Sequence, residues 1–150
     1  MLVLACILAG CGGSGSANWQ RVEGDGFRFE APAGWAVSGT SAAGEGPDRV
    51  EVSVFRLVRP YDPSRRAAAA RELDGVAARL ARQLHGRVSA RSSVRVAGLD
   101  GRAYTVDYER RVEEITFLLD GRREYQLLCR RAEGGDDGAC RRLVASFELG

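Results

Sequence analysis

Residues 100–129 read DGRAYTVDYERRVEEITFLLDGRREYQLLC, and the fold turns on this stretch. Tyr104, Val106 and Tyr108 alternate with Thr105, Asp107 and Glu109, a period of two that suits an extended chain with one buried face. Ile115, Phe117 and Leu119 alternate in the same way with Glu114, Thr116 and Leu118. Asp100-Gly101 and Asp120-Gly121 have the composition of hairpin turns, where the backbone needs a positive φ. Tyr125, Gln126, Leu127, Leu128 and Cys129 read as a further, more fully buried strand. An antiparallel meander is the expectation.

Upstream, Arg87 to Val96 forms one more strand, ending near Gly98. Before it stands a helix with clear signals. Asp62 can cap it, Pro63 suits its first position, and Ala67 to Ala70 favour helix strongly. Leu73, Val76, Ala77, Leu80 and Leu84 recur on one stripe, with Arg71, Arg79 and Arg82 largely outside it, and Gly86 stops the run. Such a helix lies on a sheet; an alanine-rich stripe would insert weakly into a membrane surface. Earlier still, Phe27-Arg28-Phe29-Glu30-Ala31 alternates, and Pro32-Ala33-Gly34 breaks it before Trp35-Ala36-Val37. Residues 39–48 read as a loop, and Val50, Val52 and Val54 as a strand running to about Val58. A short helix from Ala139 to Ala145, then Ser146-Phe147-Glu148-Leu149, closes the chain. There is no internal repeat, and 150 residues leave room for one ordinary domain.

The opening residues carry a different message. Residues 2–9 are unbroken apolar, long enough for a signal-peptide core and far short of the roughly 20 residues of a spanning helix. Leu8-Ala9-Gly10-Cys11 resembles the bacterial lipobox, in which small residues admit the peptidase and the cysteine thiol takes a diacylglycerol. The resemblance implies a signal peptide at 1–10, a lipid on Cys11, a flexible Gly/Ser tether over 11–18 and a domain over 19–150. Two acyl chains on one residue anchor stably, and the tether holds the domain about 15 Å from the lipid. No charge precedes Arg21, whereas a signal peptide opens with basic residues, so translation is expected to start upstream of Met1. Two rivals exist for this segment: a plain buried strand, and a dinucleotide loop from Gly10, Gly12 and Gly15. The loop would need a helix to open there, and residues 14–25 lack helical periodicity.

Of four cysteines, the lipobox resemblance implies that Cys6 would leave with the signal peptide and Cys11 would be acylated, which leaves Cys129 and Cys140. In an oxidising compartment a structural disulfide is the preferred reading, closing a polar loop and stabilising by roughly 3 kcal/mol. The alternative is redox or metal chemistry. Redox pairs usually lie closer, and a structural zinc needs four ligands in a chain with one histidine.

Composition narrows the function classes. Hydrophobic residues at 45% and charged residues at 28% exclude disorder along the whole chain. The 22 basic residues, all arginine, balance 20 acidic ones and are scattered, so no nucleic-acid partner is expected. The pairs Arg110-Arg111, Arg122-Arg123, Arg130-Arg131 and Arg141-Arg142 do not mass into a face, since neighbours on a strand point opposite ways.

Gly26-Phe27-x-Phe29-x-x-Pro32-x-Gly34-Trp35 resembles the opening motif of the PsbP/Mog-like superfamily. The strand ending in Cys129, the loop to Cys140 and Ala145-Ser146-Phe147 resemble the end of its secreted members, over residues 18–149 in all. The resemblance implies an α+β fold: an antiparallel β-sheet flanked by one long helix and a short C-terminal helix, an α/β/α sandwich. It also implies an accessory or interaction protein, with no family catalytic residues to carry over, and fold alone confers no function.

Candidate chemistry is sparse. His85, the one histidine, sits where a helix C-terminus favours a cation, which makes it a cap. Glu113 and Glu114 point to opposite faces and cannot share a proton. Asp136-Asp137-Gly138 lacks the spaced ligands of a calcium loop and reads as a solvated turn. Trp19 and Trp35 read as core before they read as a binding shelf. The softer lead is the polar face of the meander, Thr105, Asp107, Glu109, Glu114 and Thr116, as a ligand-binding surface against the ordinary reading of a solvated outer face. The expectation is therefore a lipid-anchored extracytoplasmic binding module for a protein, glycan or small ligand, non-enzymatic, with no cofactor and no metal. Its rival is an extracytoplasmic hydrolase or thiol redox enzyme, which a perturbed carboxylate or thiol in a cleft would betray.

Overall fold

The computed structural model describes residues 18–150; Cys6, Cys11, the lipobox and the tether up to residue 17 lie outside the described residues. In chain order the elements are β1 (Trp19–Gly24), β2 (Phe27–Pro32), β3 (Ala36–Ser38), β4 (Ser41–Ala43) and β5 (Arg49–Arg56). A single 3-10 turn (Pro63–Arg65) leads into α1 (Arg66–Gln83). Then follow β6 (Arg87–Val96), β7 (Leu99–Tyr108), β8 (Arg111–Asp120), β9 (Arg123–Ala132), α2 (Gly138–Ser146) and β10 (Glu148–Leu149). Seven strands form the main sheet in the order β3-β4-β5-β9-β8-β7-β6, antiparallel throughout, and β1-β2-β10 form a small second sheet.

Register decides what each face carries. Tyr104 lies opposite Ile115 and Val106 opposite Glu113, so the apolar alternation of β7 and β8 falls on one side. There Tyr104, Ile115, Phe117 and Leu119 pack against Leu73 and Ala77 of α1, while Val106 and Tyr108 pack against Ala81. On the other side Val50, Val52, Leu118, Tyr125, Leu127 and Cys129 meet Phe27, Phe29, Phe147, Cys140 and Leu143. The Tyr125 ring stands edge-on to Phe27 and Phe147, with centroids 6.0 and 5.5 Å away. The result is three layers: α1, the seven-stranded sheet, and a third layer of α2 with the small sheet.

Several expectations need correction. Asp100-Gly101 is not a turn but the start of β7; the chain reverses at Ala97-Gly98, where φ is 50° and 79°. Gly101 answers a close approach instead, because a Cβ there would stand 2.2 Å from the Phe117 carbonyl oxygen. Glu109 leaves the strand alternation: with Arg110 it forms the two-residue turn between β7 and β8, at φ 45° and 63°. Residues 39–48 hold β4, whose Ala42 is wholly buried, and β5 stops at Arg56 rather than Val58. In β9, Gln126 and Leu128 are half-buried, so that strand also alternates. Helix α1 ends at Gln83 with Leu84 as its C-cap, and His85 beyond it takes the left-handed region, φ 54°, while Gly86 admits the Asp107 backbone, whose oxygen a Cβ would meet at 2.4 Å. The expected hairpin at Asp120-Gly121 is present one residue on: Asp120 ends β8 opposite Arg123, and Gly121 and Arg122 make the turn, with Gly121 at φ 54°.

Candidate functional site

Helix α2 is fixed at both ends by contacts to other elements. At its start Cys140 is bonded to Cys129 of β9. At its end the Ser146 hydroxyl donates to the Arg142 carbonyl at 2.6 Å and accepts the Glu30 N–H at 2.9 Å. Arg142 pairs with the Glu30 carboxylate and lies 5.5 Å over the Trp19 ring. Trp19 and Trp35 are both half-buried, and Trp35 packs against the core.

Held there, α2 borders a cleft of about 180 Å³ on the same face of the sheet. Its floor is Ala90 and Ser92 of β6, Ala103 and Thr105 of β7, and Glu114 and Thr116 of β8; Cys140, Leu143 and Val144 form the wall. Small side chains on the two outer strands keep the floor low, and that is why a cleft exists. Glu114 accepts from Arg131 at 3.2 Å, which holds a charged pair beside the cleft. The arrangement suits a ligand with one apolar side and hydroxyl or amide groups on the other.

Three of the five expected binding residues, Thr105, Glu114 and Thr116, thus meet in one cleft, and Thr116 is buried rather than solvated. Asp107 and Glu109 do not join them. They line a wider hollow of about 410 Å³ at the hairpin end, together with His85, Arg87 and Glu133, and Asp107 lies 3.9 Å from Arg87. Ala90, Ser92 and the α2 wall were not anticipated; the run of small residues in β6, Ser89, Ala90, Ser92 and Ser93, is the signal that bears on its floor. A further cavity of about 220 Å³, also not anticipated, lies between α1 and the linker after β5. Leu57, Tyr61, Leu73, Val76 and Leu119 line it, with Arg59, Arg65, Glu72 and Glu124 around them.

The face under α1 holds three carboxylates in locks that fix the scaffold. Asp74 accepts from Tyr104 Oη at 2.6 Å and from Arg102 at 3.0 and 3.2 Å. The Arg102 hydrogen bonds, then that from Tyr104, hold the Asp74 carboxyl below the usual carboxylate range, while burial first and Asp74 second push the Tyr104 phenol up. Asp100 accepts from Arg66 at 2.8 Å, Arg95 at 2.9 Å and Tyr61 at 3.2 Å, and its carboxyl is lowered chiefly by Arg66. Buried Glu113 accepts from Tyr108 Oη at 2.8 Å and Arg130 at 2.9 Å, while Glu114 faces the other way, as a strand requires. Asp136 accepts the Gly138 N–H at 3.1 Å, which is turn geometry. Among the described residues no three His, Cys, Asp or Glu side chains gather as a set of metal ligands, and no helix is long and apolar enough to cross a membrane.

Similarity to solved structures bears on this architecture. The chain superposes on the solution structure of cyanobacterial PsbP (CyanoP) from Synechocystis sp. PCC 6803 with a TM-score of 0.60 and 16% identity, covering 95% of this chain and 99% of that one. The fold is PsbP-like. A crystal structure from Bacteroides thetaiotaomicron is looser, with a TM-score of 0.45 and 14% identity over 89% of this chain and 42% of that one. Neither a protein-family model nor a curated protein matches the sequence.

Proposed function

We propose that this protein is a lipid-anchored module on the extracytoplasmic face of the cell envelope, held by a diacylglycerol on Cys11, that binds a ligand without chemical turnover. The observation that carries the binding half is the cleft beside α2, where Ser92, Thr105, Thr116 and Glu114 converge against an apolar wall. The bonded state of Cys129 and Cys140 supports the extracytoplasmic half, because such bonds persist in oxidising compartments. The ligand class that fits is a short glycan or another small molecule with one apolar face.

The test is a set of amide spectra of the full chain, recorded with a panel of soluble neutral oligosaccharides and small amphipathic molecules. The expected result is a set of shifts confined to residues around Ser92, Thr105, Thr116 and Val144. Ser92→Trp, which fills the cleft from an exposed strand, abolishes those shifts and leaves the rest of the spectrum in place. Shifts centred on another surface, or a panel without any effect at the cleft, would refute it.

A further inference from the structure

Among the described residues the outermost strand of the main sheet, β6, pairs only with β7, so one edge of its ten residues has no ladder partner there. Every second residue of such a strand turns its N–H and C=O outward, a template for another extended chain. The register slips between Val88 and Ala90, which leaves residues 90–96 as the regular part of the edge.

The charges beside this edge are unequal. Along residues 90–96 four arginines, Arg66, Arg91, Arg95 and Arg102, share two aspartates, Asp74 and Asp100. The side chains of Arg91 and Arg95 are 64% and 65% exposed, while those of Asp74 and Asp100 are 25% and 16% exposed. Each aspartate keeps other partners without these two arginines, although Arg95 does donate to Asp100 at 2.9 Å. Asp74 already has Arg102 and Tyr104, with Arg91 only a distant third at 3.7 Å, and Asp100 already has Arg66 and Tyr61. Arg91 lies opposite Tyr104 and Arg95 opposite Asp100, so both project on the face that carries α1, with Ser93 between them. Ala90 and Ser92 alternate onto the other face and floor the cleft.

We infer that β6 is a docking edge for an extended acidic segment of another protein, which adds antiparallel or parallel as an eighth strand. Backbone hydrogen bonds supply the affinity, and carboxylates at alternate positions meet Arg91 and Arg95, which sets the sequence preference. A second copy of this chain is the worse occupant, because antiparallel pairing of two β6 edges brings arginine against arginine. The edge shares Ala90, Arg91 and Ser92 with the lining of the cleft, but either reading can fail without the other, since shifts at Thr116 and Val144 do not report on the ladder.

The probe is a strand-length synthetic peptide alternating glutamate and threonine, titrated into the full chain, with amide hydrogen exchange and anisotropy as readouts. Slowed exchange at alternate residues of 90–96 is expected, with affinity that weakens as salt rises. Arg91→Gln with Arg95→Gln, which leaves both aspartates partnered, lowers affinity by about tenfold. A peptide N-methylated at alternate amides loses binding, and one with lysine in place of glutamate binds far more weakly. The inference is overturned if the N-methylated or lysine peptide binds equally well, if no complex forms, or if residues 90–96 become protected by dimerisation of the chain alone.

Discussion

Asp74 is the side chain through which α1 is tied to the sheet, and its charge is what the tie needs. Its carboxyl is held low, first by Arg102 and then by Tyr104. A carboxylate whose folded pKa lies below its unfolded value near ~4 contributes stability above that value and loses it as pH falls through the folded pKa. The melting temperature should therefore drop as pH falls below about 4, and Asp74→Asn should flatten that part of the profile. Asp74→Ala leaves the buried Tyr104 hydroxyl and the Arg102 fork without their acceptor, at an expected cost of about 2 kcal/mol in denaturant unfolding at neutral pH. A flat acid profile in the parent chain would contradict this role.

At the scale of elements, the turn between β7 and β8 places two successive non-glycine residues in a strained conformation. Glu109 and Arg110 both adopt left-handed φ, where asparagine and glycine are the residues at ease. Replacing them together, Glu109→Asn with Arg110→Gly, should stabilise the chain by about 1 kcal/mol in the same unfolding measurement. That turn was not legible in the sequence because its residues advertise nothing, whereas Asp100-Gly101 advertised a turn and was not one. There the glycine serves a close approach to β8, and the aspartate serves Arg66 and Arg95. The strands themselves were legible, since period-two burial in β2, β5 and β7 is a local signal, while β8 is buried on both faces from Ile115 to Leu119. The α1 stripe was legible for the same reason. The candidate site was only half legible: alternation placed Thr105, Glu114 and Thr116 on one face, but no local pattern says where α2 docks. Its position follows from a disulfide across 11 residues and from the Ser146–Glu30 contact across 116, and it is these that close the cleft. Asp107 and Glu109 fell outside because the strand carries them on towards the hairpin end.

For the whole molecule, the disulfide joins the sheet to the third layer, and the lipid is proposed to join the domain to its membrane. Reducing Cys129–Cys140 should cost roughly 3 kcal/mol without unfolding the three-layer core, since most buried apolar contacts do not pass through it. The exchange protection of α2 should fall while that of β7 and β8 persists, as hydrogen exchange before and after reduction will read. If the proposed lipid on Cys11 is present, the chain should also be recovered with membranes until that lipid is removed, since the described residues offer no spanning helix. The most direct measurement is the intact mass of protein taken from its native membranes, alkylated at thiols with and without prior reduction. The account predicts a chain beginning at Cys11 that carries a diacylglycerol, with Cys129 and Cys140 alkylated only after reduction. An unprocessed, lipid-free chain whose two thiols react without reduction would contradict it and put redox or metal chemistry at that pair in front.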